Sequence, residues 1–293
     1  MDGVLLIDKP GGITSHDVVA RMRRVLQERG IGHAGTLDPM ATGLLVLVVG
    51  KATRLASLLT GHDKTYDATV RLGQNTTTDD ADGEPTGEPV PVPAEAQIQA
   101  ALWTFRGTFA QRPPAHSAKK VDGTRAYRLA RAHKTVDLAP VEVTVRELTW
   151  QGLEGSDLRL RVQATAGFYV RSLARELGAL LGCGGHLTAL RRIRSGGFTV
   201  EDALPLTEAE SLGLAAAGRL IPPAAALPDL TAVEVTPEGL RRVQHGNVIG
   251  AACLVGGLPD GVLGTPIRIL SEGRLVALAR PGAGVLHPVV VLG

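Results

Sequence analysis

GHAGTLDPMATGLLVLVV, residues 32–49, joins a turn punctuated by Gly and Pro to an unbroken apolar run. Glycine allows backbone shapes that other residues resist, and the residue before a proline is pushed toward extended geometry. Asp38–Pro39 therefore reads as a fixed turn and not as helix, and Leu44 to Val49 as a buried strand. A carboxylate at the mouth of such a strand must face water or find a partner, because burying it unpaired is costly. Taken alone, Asp38 is better explained as an Asx-type turn that caps its own backbone.

Working outward, Val4 to Asp8 reads as a strand ended by Lys9-Pro10-Gly11-Gly12. Thr14 to Asp17 matches a capping box, and Val18, Met22, Val25 and Leu26 recur at helical spacing until Gly30. Lys64 to Gly73 alternates, with Tyr66, Ala68, Val70 and Leu72 on one face of a half-buried strand; read alone, Tyr66 is a core tyrosine. Thr76 to Pro93 is polar and proline-rich and reads as an irregular surface excursion. Its Asp79-Asp80-Ala81-Asp82-Gly83 is out of register with a calcium loop, which would need an acid at Thr78 and a glutamate at Pro89. Further on come a helix over Ala94 to Trp103, strands over Val141 to Leu148 and Leu158 to Thr165, and a helix over Phe168 to Leu181. A helical or irregular stretch, Thr207 to Leu227, precedes short glycine-separated strands that fill the last sixty or so residues as a small β domain. Strands and helices mix without regular alternation, which predicts α+β with a mixed sheet.

With 293 residues, 44% of them hydrophobic, the chain can bury a full core. Cys183 and Cys253 give no disulfide framework, the N-terminus lacks signal-peptide character, and no apolar run approaches the ~18 residues of a membrane span. A cytoplasmic protein without a membrane is expected. Net charge is only +2 but unevenly spread: seven Lys or Arg against one acid between Arg112 and Lys134, and seven Arg against one acid between Arg159 and Arg194. With Tyr127, Phe168 and Tyr169 interleaved, these segments suit a phosphate backbone and unstacked bases better than two solvated faces. Several catalytic templates fail. Gly30 to Gly35 spells GxGxxG but follows a helix and precedes a strand, the reverse of dinucleotide sites, and Cys183 with His186 leaves a metal site two ligands short.

Gly32 to Leu45, Gly3 to Pro10 with Thr14-Ser15, Lys64-Thr65-Tyr66, Pro113 to Val121, Gly167 to Leu173 and Gly185 to Arg192 occur in the order of the TruB family of pseudouridine synthases, which the chain resembles to about residue 203. The resemblance implies the pseudouridine synthase fold, a central mixed, largely antiparallel sheet flanked by helices, over residues 1–228. It also implies a thumb-like basic insertion at about 112–143. Residues 229–293 resemble a PUA-type RNA-binding β domain. The implied reaction is isomerisation of uridine 55 in the T loop of tRNA, with Asp38 as nucleophile, Arg171 as its partner and Tyr66 stacking on the flipped base. Tyr169 and Leu190 would line the site, His33 would fill the space the nucleotide leaves, and Lys119 and Lys120 would bind RNA. No metal or organic cofactor is implied, and the expected state is a monomer with no obligatory protein partner. Two other readings stay open: a guide-RNA-dependent relative, and an RNA-folding protein without catalysis.

Overall fold

The computed structural model describes residues 1–115, 138–258 and 264–293, with the backbone alone of 120–121 and 124–125. In chain order the strands are β1 (Gly3–Lys9), β2 (Ile31–His33), β3 (Thr42–Val49), β4 (Lys64–Leu72), β5 (Asn75–Thr76), β6 (Pro85–Thr86), β7 (Gly107–Gln111), β8 (Lys120–Val121), β9 (Thr124–Arg125), β10 (Val141–Glu154), β11 (Asp157–Ala164), β12 (Gly185–Ser195), β13 (Phe198–Thr199) and β14 (Leu204–Pro205). The later ones are β15 (Ala232–Val235), β16 (Ile249–Gly250), β17 (Leu254–Val255), β18 (Ile267–Ser271), β19 (Arg274–Gly282) and β20 (Val285–Val291). The α-helices are α1 (Ser15–Val25), α2 (Ala56–Thr60), α3 (Glu95–Trp103), α4 (Val170–Leu180), α5 (Leu206–Leu212) and α6 (Pro237–Gln244).

Among the described residues one large sheet runs β14-β1-β3-β12-β4-β11-β10-β7, with β2 added on β3 and β13 on β12. Only the β1–β14 and β3–β12 pairings are parallel, so the sheet is mixed and largely antiparallel. The apolar run of β3 is unbroken because both its faces are covered. Leu45, Leu47 and Val49 lie in one core with helix α1 and β1, whereas Leu44, Val46 and Val48 lie in a second core with Ala52, Leu55 and Leu59. A strand buried on two faces loses the alternation of a half-buried one.

Strand β12 departs from regular pairing with β4 at two places, between Leu187 and Ala189 and between Arg192 and Arg194. A bulge adds one residue to one strand and changes which residues face which side. After the first, Leu190 pairs with Ala68 and Arg192 with Tyr66, on the β4 face that also carries Val70 opposite Leu187.

A second sheet, β16-β20-β19-β18-β15-β17, occupies the C-terminal part, with α6 packed on it. Helix α6 is missing from the sequence expectation of short strands alone; Thr236 caps it through Gly239 N, and Pro237 starts it. Two other expectations need correction. Helix α1 ends at Val25 and not near Gly30, because the chain turns at Gln27, which adopts a positive φ of 51°. The stretch from Thr76 to Pro93 is no mere surface excursion: β5 and β6 form a hairpin, Thr76 and Asp80 are buried, and Ala81 N and the Asp79 carbonyl bond to Leu187 at 2.9 and 3.0 Å. Among the described residues no helix is long and apolar enough to cross a membrane.

Candidate active site

Asp38 lies on the turn between β2 and β3, and local chemistry fixes that turn from below. Leu37 and Ala41 are buried in the main core, while Ser15 Oγ accepts from Leu37 N at 2.8 Å and donates to Leu37 O at 3.1 Å. Gly12 N donates to Pro39 O at 2.8 Å. Lys9, fully buried, directs Nζ at the carbonyls of Pro10, Ile13 and Pro39, at 2.9, 2.7 and 3.2 Å. All three donors of its ammonium are thereby used. Burial pulls the Lys9 pKa down to about 8, with Asp38 opposing that pull. The loop ahead of α1 and the turn bearing Asp38 are thus one hydrogen-bonded unit.

The Asp38 side chain does not cap its own turn but pairs with Arg171, the second residue of α4. Arg171 Nη2 donates to Asp38 Oδ1 at 3.0 Å and Nε lies 2.9 Å from Oδ2, a close ion pair. Arg171 is itself buried, and its Nη1 donates to Thr78 O at 3.1 Å and lies 3.4 Å from Asp80 Oδ2. Loss of water raises the Asp38 carboxyl above its ordinary range; the Arg171 charge opposes this and Asp80 adds to it. One step outward, Arg175 pairs with Asp79 at 2.6 Å and Glu176 at 3.2 Å. Asp79, Asp80 and Arg175 escape the sequence reading, since only the hairpin's contact with Leu187 carries the two aspartates inward.

The remaining expected residues lie on neighbouring elements. Tyr66 is half-buried on β4, and Leu190 is buried on the neighbouring β12, its carbonyl facing the Thr42 hydroxyl at 3.4 Å. Tyr169, half-buried, precedes α4; its N–H donates to Gln111 Oε1 at 2.8 Å and its carbonyl accepts from Gln111 Nε2 at 3.1 Å. His33, half-buried, ends β2 five residues before Asp38. A cleft of about 500 Å3 opens beside Met40, Thr42 and Leu190 and extends to Arg159 and Arg191. The side chains of Lys119 and Lys120 lie outside the described residues.

The arginine-rich 159–194 segment is less free than its sequence suggests. Acids from other strands meet much of it: Arg161 pairs with Asp67, Arg191 with Asp8, and Arg171 and Arg175 as above. Arg159 and Arg194 stay exposed. Among the described residues no three His, Cys, Asp or Glu side chains converge as metal ligands would.

This arrangement can hold an ionised, partly desolvated carboxylate aimed by a planar cation. Such a group serves nucleophilic attack on a sugar or an electrophilic ring. Comparison with known proteins gives the same direction. The family model for the TruB family pseudouridylate synthase N-terminal domain matches residues 23–170, and that for the tRNA pseudouridylate synthase B C-terminal domain matches 171–217. A tRNA pseudouridine synthase B of Thermobifida fusca is 49% identical, over 99% of this chain and 98% of its own. That of Solibacter usitatus is also 49% identical, over 82% of this chain and 84% of its own. Among solved structures, a chain of the archaeal box H/ACA sRNP Nop10-Cbf5 complex superposes with a TM-score of 0.76 at 26% identity, covering 99% of this chain and 86% of that one. Fold, site and sequence converge: the chain belongs to the TruB family of pseudouridylate synthases.

Proposed function

We propose that this protein isomerises uridine 55 in the T loop of tRNA to pseudouridine, with Asp38 as its nucleophile. The observation that carries the reading is the close Arg171–Asp38 ion pair, with 31% of the Asp38 side chain left exposed. In the reaction the N1–C1′ bond breaks and a C5–C1′ bond forms; C5 loses a proton and N1 gains one, so atoms balance without an added reagent. Asp38 attacks the anomeric carbon, adds to the uracil ring, or assists elimination, and Arg171 keeps it ionised and aimed in each case.

The target base must leave its stack to reach Asp38. Tyr66 offers a face to receive it, Tyr169 and Leu190 line the pocket, and His33 fills the space left in the RNA. The insertion from Arg112 to Val143, with Lys119 and Lys120, grips phosphates. Residues 1–228 are the catalytic unit and 229–293 a PUA-like RNA-binding unit. The protein works in the cytoplasm as a monomer without an obligatory protein partner. Relatives 49% identical along most of their length are tRNA pseudouridine synthases B, which favours the stand-alone reading over a guide-RNA-dependent one.

Incubating the protein with a T-arm stem-loop and assaying for pseudouridine tests this. Wild type should convert the uridine without a guide, and Asp38→Asn should bind RNA while losing turnover. A residual rate within about tenfold of wild type, only ~1.4 kcal/mol of barrier, would remove Asp38 from the chemistry.

A further inference from the structure

Strand β12 carries an arginine for which neither nucleophile nor phosphate grip accounts. Arg192 is 1% exposed, and no carboxylate among the described residues pairs with it. A buried cation without an anion is costly, and apolar replacements of similar volume are often neutral or stabilising, so fold stability is a poor reason for an arginine here. Its partners give a better one. Nε donates to Leu44 O at 2.7 Å and Nη2 to Gly35 O at 3.0 Å. Those two carbonyls bracket the turn that bears Asp38. Across the strands Arg192 stands opposite Tyr66 on β4.

The glycines at the two ends of the turn fit this clamp. A Cβ on Gly43 would come within 2.3 Å of the Arg192 carbonyl oxygen, and one on Gly35 within 3.3 Å of its Nη1. Both glycines also sit at positive φ, 110° for Gly35 and 95° for Gly43. The turn closes onto Arg192 because nothing projects from either end.

We propose that Arg192 is a positioning residue for the isomerisation: one guanidinium closes both ends of the nucleophile turn from the strand position opposite Tyr66, fixing the turn that carries the carboxylate relative to the strand that carries the stacking ring. It contacts neither sugar nor base and moves no proton. A planar guanidinium reaches both diverging carbonyls at once from different nitrogens, and a lysine in its place keeps the charge but not the span. Its kinetic consequence rests on the proposed function; the clamp itself does not.

The test compares wild type with Arg192→Lys and Arg192→Met in three measurements. Single-turnover conversion of T-arm RNA at saturation should fall about 100-fold in both variants, the scale of a misplacement near 1 Å. RNA affinity should stay within about twofold, so the loss is in the rate and not in binding. Melting temperature should hold or rise in Arg192→Met, and if that variant fails to fold, Arg192→Lys decides. Amide hydrogen exchange over residues 36–42 should speed up in each folded variant, with the β1–β3 pairing unchanged. A single-turnover rate near wild type in Arg192→Lys overturns the proposal, as does unchanged exchange in the turn, or a rate loss accompanied by general destabilisation. Should wild type make no pseudouridine in T-arm RNA, the proposed function fails, and the exchange measurement still decides the clamp.

Discussion

At the scale of single residues, the site is an alternation of charges, Asp38–Arg171–Asp80, in which the two carboxylates share one guanidinium and differ in exposure, 31% against 7%. Asp38 keeps some exposure and Asp80 almost none, so in the proposed mechanism the first can reach substrate while the second holds Arg171. Asp80 has a further effect, because its negative charge pushes the Asp38 carboxyl up, in the same direction as burial. In the proposed mechanism the active form of Asp38 is the anion, so the rate should fall as pH drops through its pKa, with the acid limb of kcat/KM above the ordinary aspartate value of 3.8. Asp80→Asn removes one upward push, so the acid limb should move to lower pH while the plateau rate drops as Arg171 loses a tether. A pH–rate profile on T-arm RNA checks this, and a limb that moves upward would contradict it. Asp38 and Arg171 are legible in sequence through their motifs. Asp80 is not, since the bonds that turn it inward run to Leu187, a hundred positions away and outside any local pattern.

At the scale of elements, long periodic segments read correctly, and the errors fall where one distant contact or one unusual dihedral decides. The β3 run, the α1 capping box and the alternation of β4 all appear as expected. The end of α1 misreads because Gln27, and not a glycine, takes the positive φ. The arginine-rich 159–194 segment misreads for a related reason. Its charge is balanced across strands, by Asp67 of β4 and Asp8 of β1, and one-dimensional charge counting cannot see pairing in a sheet. The irregularity in β12 around Thr188 is equally invisible in sequence, yet it sets which side of the sheet Leu190 and Arg192 occupy. Deleting Thr188 removes the extra residue and leaves Ala189, Leu190 and Arg192 opposite Thr69, Ala68 and Tyr66 in regular alternation, so that variant should fold with its faces unchanged. An alanine inserted after Leu190 should instead move Arg192 to the other face and abolish activity. Single-turnover assays on both variants, with circular dichroism to confirm folding, check it; an active insertion variant would mean the sheet absorbs the added residue as a further bulge.

At the scale of the whole molecule, the division of labour between grip and chemistry is open to a salt titration. Every cation withdrawn from a phosphate makes the slope of log affinity against log salt shallower by ~0.7 to 0.9. Lys119→Ala with Lys120→Ala should therefore bind T-arm RNA more weakly, with a shallower slope and a saturated rate near wild type. If saturated turnover collapsed while binding held, the insertion would be placing the uridine and not gripping the backbone. The C-terminal sheet bears on the site in another way. Leu275, Leu278 and Leu292 share a core with Val4, Leu6, Leu44, Val46 and Val48, and Arg54 donates to the Val291 carbonyl. The strand that leaves the Asp38 turn thus shares the core behind it with the last fifth of the chain as well as with Ala52, Leu55 and Leu59. Such shared burial ties the two halves into one melting unit, so calorimetry should show a single peak whose van't Hoff and calorimetric enthalpies agree. Two resolved peaks would argue against it. An RNA held only by the C-terminal sheet would then, by mass action, shift the melting of the Asp38 turn as well, so that a hold on the RNA far from the uridine also steadies the carboxylate that awaits it.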